Sequence, residues 1–209
     1  MFRMKKIPAI CSLVHHVIVD YKIKYLIRRN PVRIVVGASG VFQSGWIPTD
    51  IEHLDILKLD SWRRYFSESS IDAILAEHVF EHLTAEEGFM AARYCYHFLK
   101  PNGYIRVAVP DGFHPSVDYI NQVKPGGVGV GAEDHKILYN YNTLSNLFEK
   151  NNYQINLLEY FNEKSVFISK DWDPGMGMIT RSSKYDERNR NGKLDYTSII
   201  IDARKQVNI

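Results

Sequence analysis

Three short runs of apolar residues, Ile34 to Val36, Ile71 to Ala76 and Tyr104 to Val109, carry the clearest pattern in the chain. The middle run lacks strict alternation of apolar and polar positions, as expected of a strand covered on both faces of a parallel sheet. Each run ends in residues that can meet a polar ligand: Gly37-Ala38-Ser39-Gly40, Glu77-His78 and Pro110-Asp111. In open α/β sheets ligands bind outside the carboxyl ends of the strands, so the pattern sends these three tips to one crevice. Between the second and third runs, Thr84 with Glu87 three residues on forms a capping box. It opens a helix expected to present Phe89, Ala92, Tyr96 and Leu99 to the sheet, and Pro101-Asn102-Gly103 ends it. Leu54 to Leu59 reads as a short edge strand and Trp62 to Phe66 as a helical turn. Asn142 to Lys150 reads as a helix, and Tyr153 to Tyr160 and Tyr196 to Asp202 as strands.

The connection after the first run is short. Only Val41 to Gly45 separate the Gly37 to Gly40 turn from Trp46-Ile47-Pro48-Thr49-Asp50. A standard crossover between parallel strands needs a dozen or more residues, so the first crossover helix is missing or vestigial. A ligand there would depend on loop amides and side chains rather than on a helix N-terminus. Further on, Gly126, Gly127, Gly129 and Gly131 crowd a loop that carries Glu133, Asp134 and His135. Residues 162–195 are polar and turn-rich and read as an embellishment wrapping an edge or end of the sheet.

Length and composition narrow the class. At 209 residues with 45% hydrophobic and 24% charged positions, the chain suits one globular domain, residues 31–209, preceded by an N-terminal segment, residues 1–30. Its two cysteines, Cys11 and Cys95, stand in no metal-ligand spacing and point to a reducing, cytoplasmic setting. His15-His16 interrupt the apolar run near the start, no cleavage site follows, and no stretch approaches the ~20 apolar residues of a transmembrane helix. The net charge of +2 hides an asymmetry: residues 1–33 hold eight Lys or Arg against Asp20 alone, +7, and the remainder is −5. Ile10, Leu13, Val14, Val17, Ile18 and Tyr21 recur there at helical spacing, describing a basic amphipathic helix packed on the sheet. Its charged face is open to solvent, an anionic substrate, a partner or weak contact with a membrane surface. The negative body argues against nucleic acid as a partner.

The ordered set of Gly37 through Asp50, then Asp60, then Ile71 through Leu83 (IDAILAEHVFEHL), then Leu99-Lys100-Pro101-Asn102-Gly103 through Asp111 resembles class I S-adenosylmethionine-dependent methyltransferases. More narrowly, it is similar to predicted methyltransferases with a shortened first crossover and a Gly-Trp dipeptide, here Gly45-Trp46, before the second-strand acid. The resemblance covers about residues 31–161 and the final strand. It implies a Rossmann-like α/β/α sandwich with a mostly parallel seven-stranded sheet, and S-adenosyl-L-methionine as cofactor. On that resemblance Gly37, Ala38, Ser39 and Gly40 face the methionine part of the cofactor, and Asp50 accepts hydrogen bonds from the ribose hydroxyls. Asp60 and Ser61 match the acid-containing motif near the adenine, with Asp55 as the alternative alignment, and Glu77-His78 border cofactor and acceptor. The family's turn reads Gly-x-Gly, whereas Ser39 stands here at the second glycine. Its side chain either crowds the cofactor or bonds its amino-acid end.

Methyl transfer is an in-line displacement, and an oxygen acceptor gains from a base; His78, Asp111, His114 and His135 are the candidates. His82, near the start of the long helix, reads as a structural or capping residue. His78 and His82 have the i,i+4 spacing of a metal pair but need Asp111, His114 or His135 to complete a site, and no metal is assigned. The resulting expectation is a methyltransferase for a small-molecule or saccharide acceptor, acting at oxygen. The alternatives are a non-catalytic interaction protein of the same fold and, less favoured, a nucleic-acid methyltransferase.

Overall fold

The computed structural model describes residues 9–39 and 43–206. Helix α1 (Ala9–Leu26) leads into strand β1 (Arg33–Val36), then β2 (Ile47–Thr49), the short helix α2 (Leu59–Arg63), β3 (Ile71–Glu77), α3 (Ala85–Phe98) and β4 (Leu99–Pro110). Helices α4 (Val117–Val123) and α5 (Tyr141–Glu149) follow, then β5 (Tyr153–Phe161), β6 (Phe167–Ser169) and β7 (Ser198–Lys205). The strands form one seven-stranded sheet in the order β2-β1-β3-β4-β7-β5-β6. β2, β1, β3 and β4 pair in parallel, and β7 runs antiparallel to both β4 and β5, so five strands share one direction and β6 and β7 oppose it. No helix among the described residues lies between β1 and β2. No described helix is long and apolar enough to cross a membrane.

The seventh strand is β6, at the far edge, rather than the expected Leu54 to Leu59 strand. That segment is a turn because short polar side chains capture its backbone: Asp55 Oδ1 accepts from Leu57 N at 3.0 Å and Ser61 Oγ from Asp55 N at 2.9 Å. Such local bonds compete with a ladder. Leu54 and Ile56 are still buried, so the apolar pattern marked burial correctly and structure wrongly. The helical turn expected at Trp62 to Phe66 starts earlier, as α2 (Leu59–Arg63), where Trp62 stacks on Phe98 with ring centroids 5.2 Å apart.

Alternation along the central strands divides the core between two faces. Ile34, Val36, Ile74, Ala76, Ile105 and Val107 face one side, with α3 (Ala91, Ala92, Cys95, Phe98) and α5 (Leu144, Phe148). The capping box of α3 is present, with Thr84 Oγ1 accepting from Glu87 N and Glu87 Oε2 from Thr84 N. The face α3 buries is Gly88, Ala91, Ala92, Cys95 and Phe98; Phe89 and Tyr96 are only partly covered, a rotation from the predicted stripe. Small residues on that stripe let the helix lie close to the sheet.

The opposite face carries Val35, Ala73, Leu75, Tyr104, Ala108 and Ile200, and it is covered by Trp46, Trp172, Met176 and Ile179 instead of long helices. The turn-rich segment thus takes the place that the missing crossover helix leaves open. Arg106, 1% exposed, anchors it: Nε and Nη2 bind Asp202 at 2.7 and 3.0 Å, while Nη1 donates to Asp173 O and Gly177 O.

Helix α1 buries a different stripe from the one its spacing suggested. Ile23 is core, with Val19, Leu26 and Ile27 against it, whereas Val17, Ile18 and Tyr21 are exposed. Asp20 sets this rotation by receiving Tyr65 Oη and pairing with Lys24 and Arg64. These cations and the Tyr65 hydroxyl hold its carboxyl down at about 2. Ile10, Leu13 and Val14 lie outside the described side chains.

Candidate active site

A crevice of about 1180 Å³ opens where β1 and β3 end, large enough for a nucleoside-sized ligand and a small second molecule. One wall is the turn after β1. Gly37 adopts φ +63°, and a Cβ there would lie 2.8 Å from Val79 Cγ2, so glycine is required twice over. Ala38 N donates to Thr49 O, and Ser39 N donates to Asp50 Oδ1 at 3.0 Å. Asp50 therefore braces the turn through Oδ1, but it is not itself among the residues lining the crevice. Ser39 itself sits at φ +45°, exposed on the crevice wall; Gly40 lies outside the described residues.

The floor comes from the end of β3. Glu77 is committed to the turn-rich segment: Oε1 accepts from Thr180 Oγ1 at 2.6 Å and Arg181 N at 2.7 Å, and Oε2 from Thr180 N at 3.2 Å. His78 follows in the left-handed region at φ +56°, a conformation that costs energy in a non-glycine residue and clusters at functional sites. Its Nε2 lies 3.0 Å from Ser198 Oγ, which donates its own hydrogen to Arg181 O, and its Nδ1 lies 2.8 Å from Glu81 Oε1. Glu81 is fully buried. Burial pushes its carboxyl up, but His78 beside it outweighs that and leaves it below the usual range.

The third wall is the glycine-rich loop. It folds back on α4 through Val128 N to Asn121 O and Gly129 N to Gln122 O, and it lines the crevice with Val128, Val130 and His135. His135 Nδ1 lies 2.7 Å from Val123 O, so that nitrogen carries the hydrogen and Nε2 is left as the acceptor. Its ring meets that of His82 edge-on, 4.7 Å between centroids. His82 thus opens onto the crevice, a role its position near a helix start did not suggest. Arg181, Arg188 and Tyr196 complete the lining, none of them singled out by a motif.

Two of the four candidate bases lie elsewhere. Asp111 is buried, its oxygens accepting from Phe113 N at 2.9 Å and Phe161 N at 2.6 Å. Burial pushes its pKa up to about 6, and the two backbone amides hold it from rising further. His114 stacks on Tyr119 at 3.9 Å, accepts from Ser116 N and donates Nε2–H to Leu194 O. Burial lowers its pKa, partly offset by the Leu194 carbonyl. Neither is among the residues lining the crevice. Asp60 is exposed at the start of α2 and Ser61 is engaged with Asp55 N and His53 O; neither lines it.

No protein-family model matches the chain, and no curated protein sequence matches it. Solved structures do. An S-adenosylmethionine-dependent methyltransferase from Mesorhizobium loti superposes with a TM-score of 0.50 at 10% identity, over 89% of this chain and 97% of that one. Methyltransferases from Archaeoglobus fulgidus (TM-score 0.47, 18% identity, 91% and 94% covered) and Thermotoga maritima (0.49, 12%, 94% and 96%) are also similar. The Mesorhizobium likeness places the chain in the α/β fold of these methyltransferases.

Proposed function

We propose that the protein is an S-adenosylmethionine-dependent methyltransferase that methylates an oxygen of a small-molecule or saccharide acceptor. The observation that carries this reading is the turn after β1 on the crevice wall: a glycine with no room for a Cβ, followed by an amide fastened to the Asp50 carboxylate at the end of β2, the position the resemblance gives to the ribose-binding acid. S-adenosylmethionine, when bound, supplies a methyl group whose bond to sulfur breaks as its bond to the acceptor oxygen forms, the electron pair staying on sulfur. The chain's part is to align the two ligands and to deal with the acceptor's proton. Of the four candidate bases, His135 keeps an open nitrogen toward the crevice, while His78 has a partner at each ring nitrogen and Asp111 and His114 are bonded elsewhere. We assign activation of the acceptor to the His135 side. Exposed Val128 and Val130 at the rim suit an acceptor with an apolar part, and a fully buried free Cys95 suits a reducing, cytoplasmic setting.

Calorimetry with S-adenosylmethionine and S-adenosylhomocysteine tests the reading. Micromolar binding by the intact protein, abolished in Asp50→Ala, is expected. Well-folded protein that binds neither compound would overturn it and leave a non-catalytic interaction protein of this fold.

A further inference from the structure

The buried carboxylate of Glu81 is not accounted for by the walls of the crevice. It is completely shielded from solvent; Oε1 lies 2.8 Å from His78 Nδ1, while Oε2 has no hydrogen-bond partner among the described residues. His78 meets only one of the two oxygens, so the buried Oε2 is left open to a further cation. Two imidazoles stand ready to share one. Ligand atoms of Glu81, His82 and His135 all lie within 4.8 Å of one another. We propose that these three residues hold a divalent transition-metal ion of the zinc or cobalt class at the acceptor side of the crevice.

Three features support the assignment. The donor set, two imidazoles and one carboxylate, is that of zinc sites that keep a fourth position open, with ligand distances of about 2.0–2.2 Å that modest side-chain movement reaches. His135 has the orientation of a ligand: its Nδ1 is tied to a backbone carbonyl, which fixes the tautomer and aims Nε2 away from it. His82 follows the same plan more loosely, its Nδ1 3.5 Å from Asp134 Oδ1, leaving Nε2 to the ion. The backbone also pins the two segments together, since Lys136 N and Ile137 N both donate to Glu81 O, at 2.7 and 3.2 Å. A loop residue more than fifty positions away is therefore brought beside Glu81 by main-chain bonds, independent of any ion.

The open position of such an ion faces the crevice, where it would bind the acceptor oxygen and lower the pKa of its hydroxyl, the proton passing to water. This use of the site rests on the methyltransferase reading; the binding of the ion does not. His135 then acts on the acceptor through the ion rather than as the proton acceptor.

Chelator-stripped protein is titrated with zinc chloride by calorimetry and with cobalt chloride by visible absorption. The expected result is one ion per chain at micromolar affinity or tighter, with cobalt bands of low coordination number. His82→Ala and His135→Ala are expected to weaken binding at least about tenfold. Neither residue belongs to the hydrophobic core, so these variants are expected to fold even if Glu81→Gln does not. His15 and His16, consecutive in the sequence, are the obvious competing ligands, and a His15→Ala/His16→Ala protein must bind as the wild type does. Absence of binding, or binding unchanged in His82→Ala and His135→Ala, overturns the site. Metal binding without S-adenosylmethionine binding sinks the methyltransferase reading and leaves the site standing; the reverse sinks the site alone.

Discussion

The two faces of the sheet are covered in different ways. On the first face α3 and α5 pack their own periodic stripes, and each helix satisfies its backbone internally and caps itself, α3 through Thr84 and Glu87, α5 through Asn140 and Thr143. On the second face irregular chain lies over the strands and is held by a few long-range bonds from polar side chains: Arg106 to Asp173 and Gly177, Gln43 to Pro174 and Met178, Glu77 to Thr180 and Arg181, and Glu159 to Trp172 and Ser183. The crevice borders this second cover, which contributes Met178, Thr180 and Arg181 to its lining. A face whose cover is fastened at a handful of points can shape a ligand site with residues from distant parts of the chain; a face sealed by regular helices spends its side chains on packing.

The sharpest way to break this contrast is Arg106→Ala, which strands Asp202 in the core and releases two carbonyls. We expect a loss of about 3–5 kcal/mol in chemical denaturation. Leu144→Ala on the helical face should cost a similar 2–5 kcal/mol, so the total does not separate the faces. Proteolysis does: the Arg106 variant should be cleaved within residues 172–181 while still folded, and the Leu144 variant should not. Equal resistance in both would show that the second cover is held by its apolar contacts instead.

Asp111 gives the next largest effect, at the end of β4 where its bond to Phe161 N ties in the end of β5. Its folded pKa is raised from 3.8 to about 6, so the folded state binds the proton more tightly than the unfolded state. This contribution is fully present below pH 4 and is lost as pH rises to about 6, at a cost of about 3 kcal/mol. Asp111→Asn does not titrate. Relative to wild type, the variant should therefore gain about that amount between pH 4 and pH 7 in thermal or urea unfolding. An unchanged difference across that range would mean that Asp111 ionises in the fold without penalty.

The smallest effects form a matched pair. Gln43→Ala removes the bonds to Pro174 O and Met178 N and should cost about 1–2 kcal/mol. Thr84→Ala removes a helix cap and should cost about 1 kcal/mol. Gln43→Ala should also weaken S-adenosylmethionine binding severalfold, because it loosens the cover beside the proposed cofactor wall, whereas Thr84→Ala should leave binding unchanged. Parallel effects on binding would erase the distinction between the faces.

Much of the first face could be read along the chain. The strands ending near Val36, Ala76 and Val109, the Thr84 cap, the α5 helix and the absence of room for a helix between β1 and β2 are all consequences of residues close in sequence. Boundaries and rotations were less legible. Leu54 and Ile56 looked like strand because burial leaves the same apolar mark on a turn, and Val17, Ile18 and Tyr21 looked like the packed stripe of α1 until Asp20, paired with Arg64 and Tyr65, turned the helix.

Sequence by itself determined the strand–helix–strand order from Ile71 to Val109, the Thr84 cap and the glycine at the first strand end, since turn chemistry, capping and apolar period act between neighbours. Tertiary structure alone decided that β6 supplies the seventh strand, that residues 172–179 cover the second face, that Asp111 and His114 bond away from the crevice, and that Glu81, His82 and His135 meet. The bond from Glu77 to Thr180 spans 103 residues. A contact of that kind depends on how the whole chain closes on itself, and neither partner's near neighbours carry any trace of it.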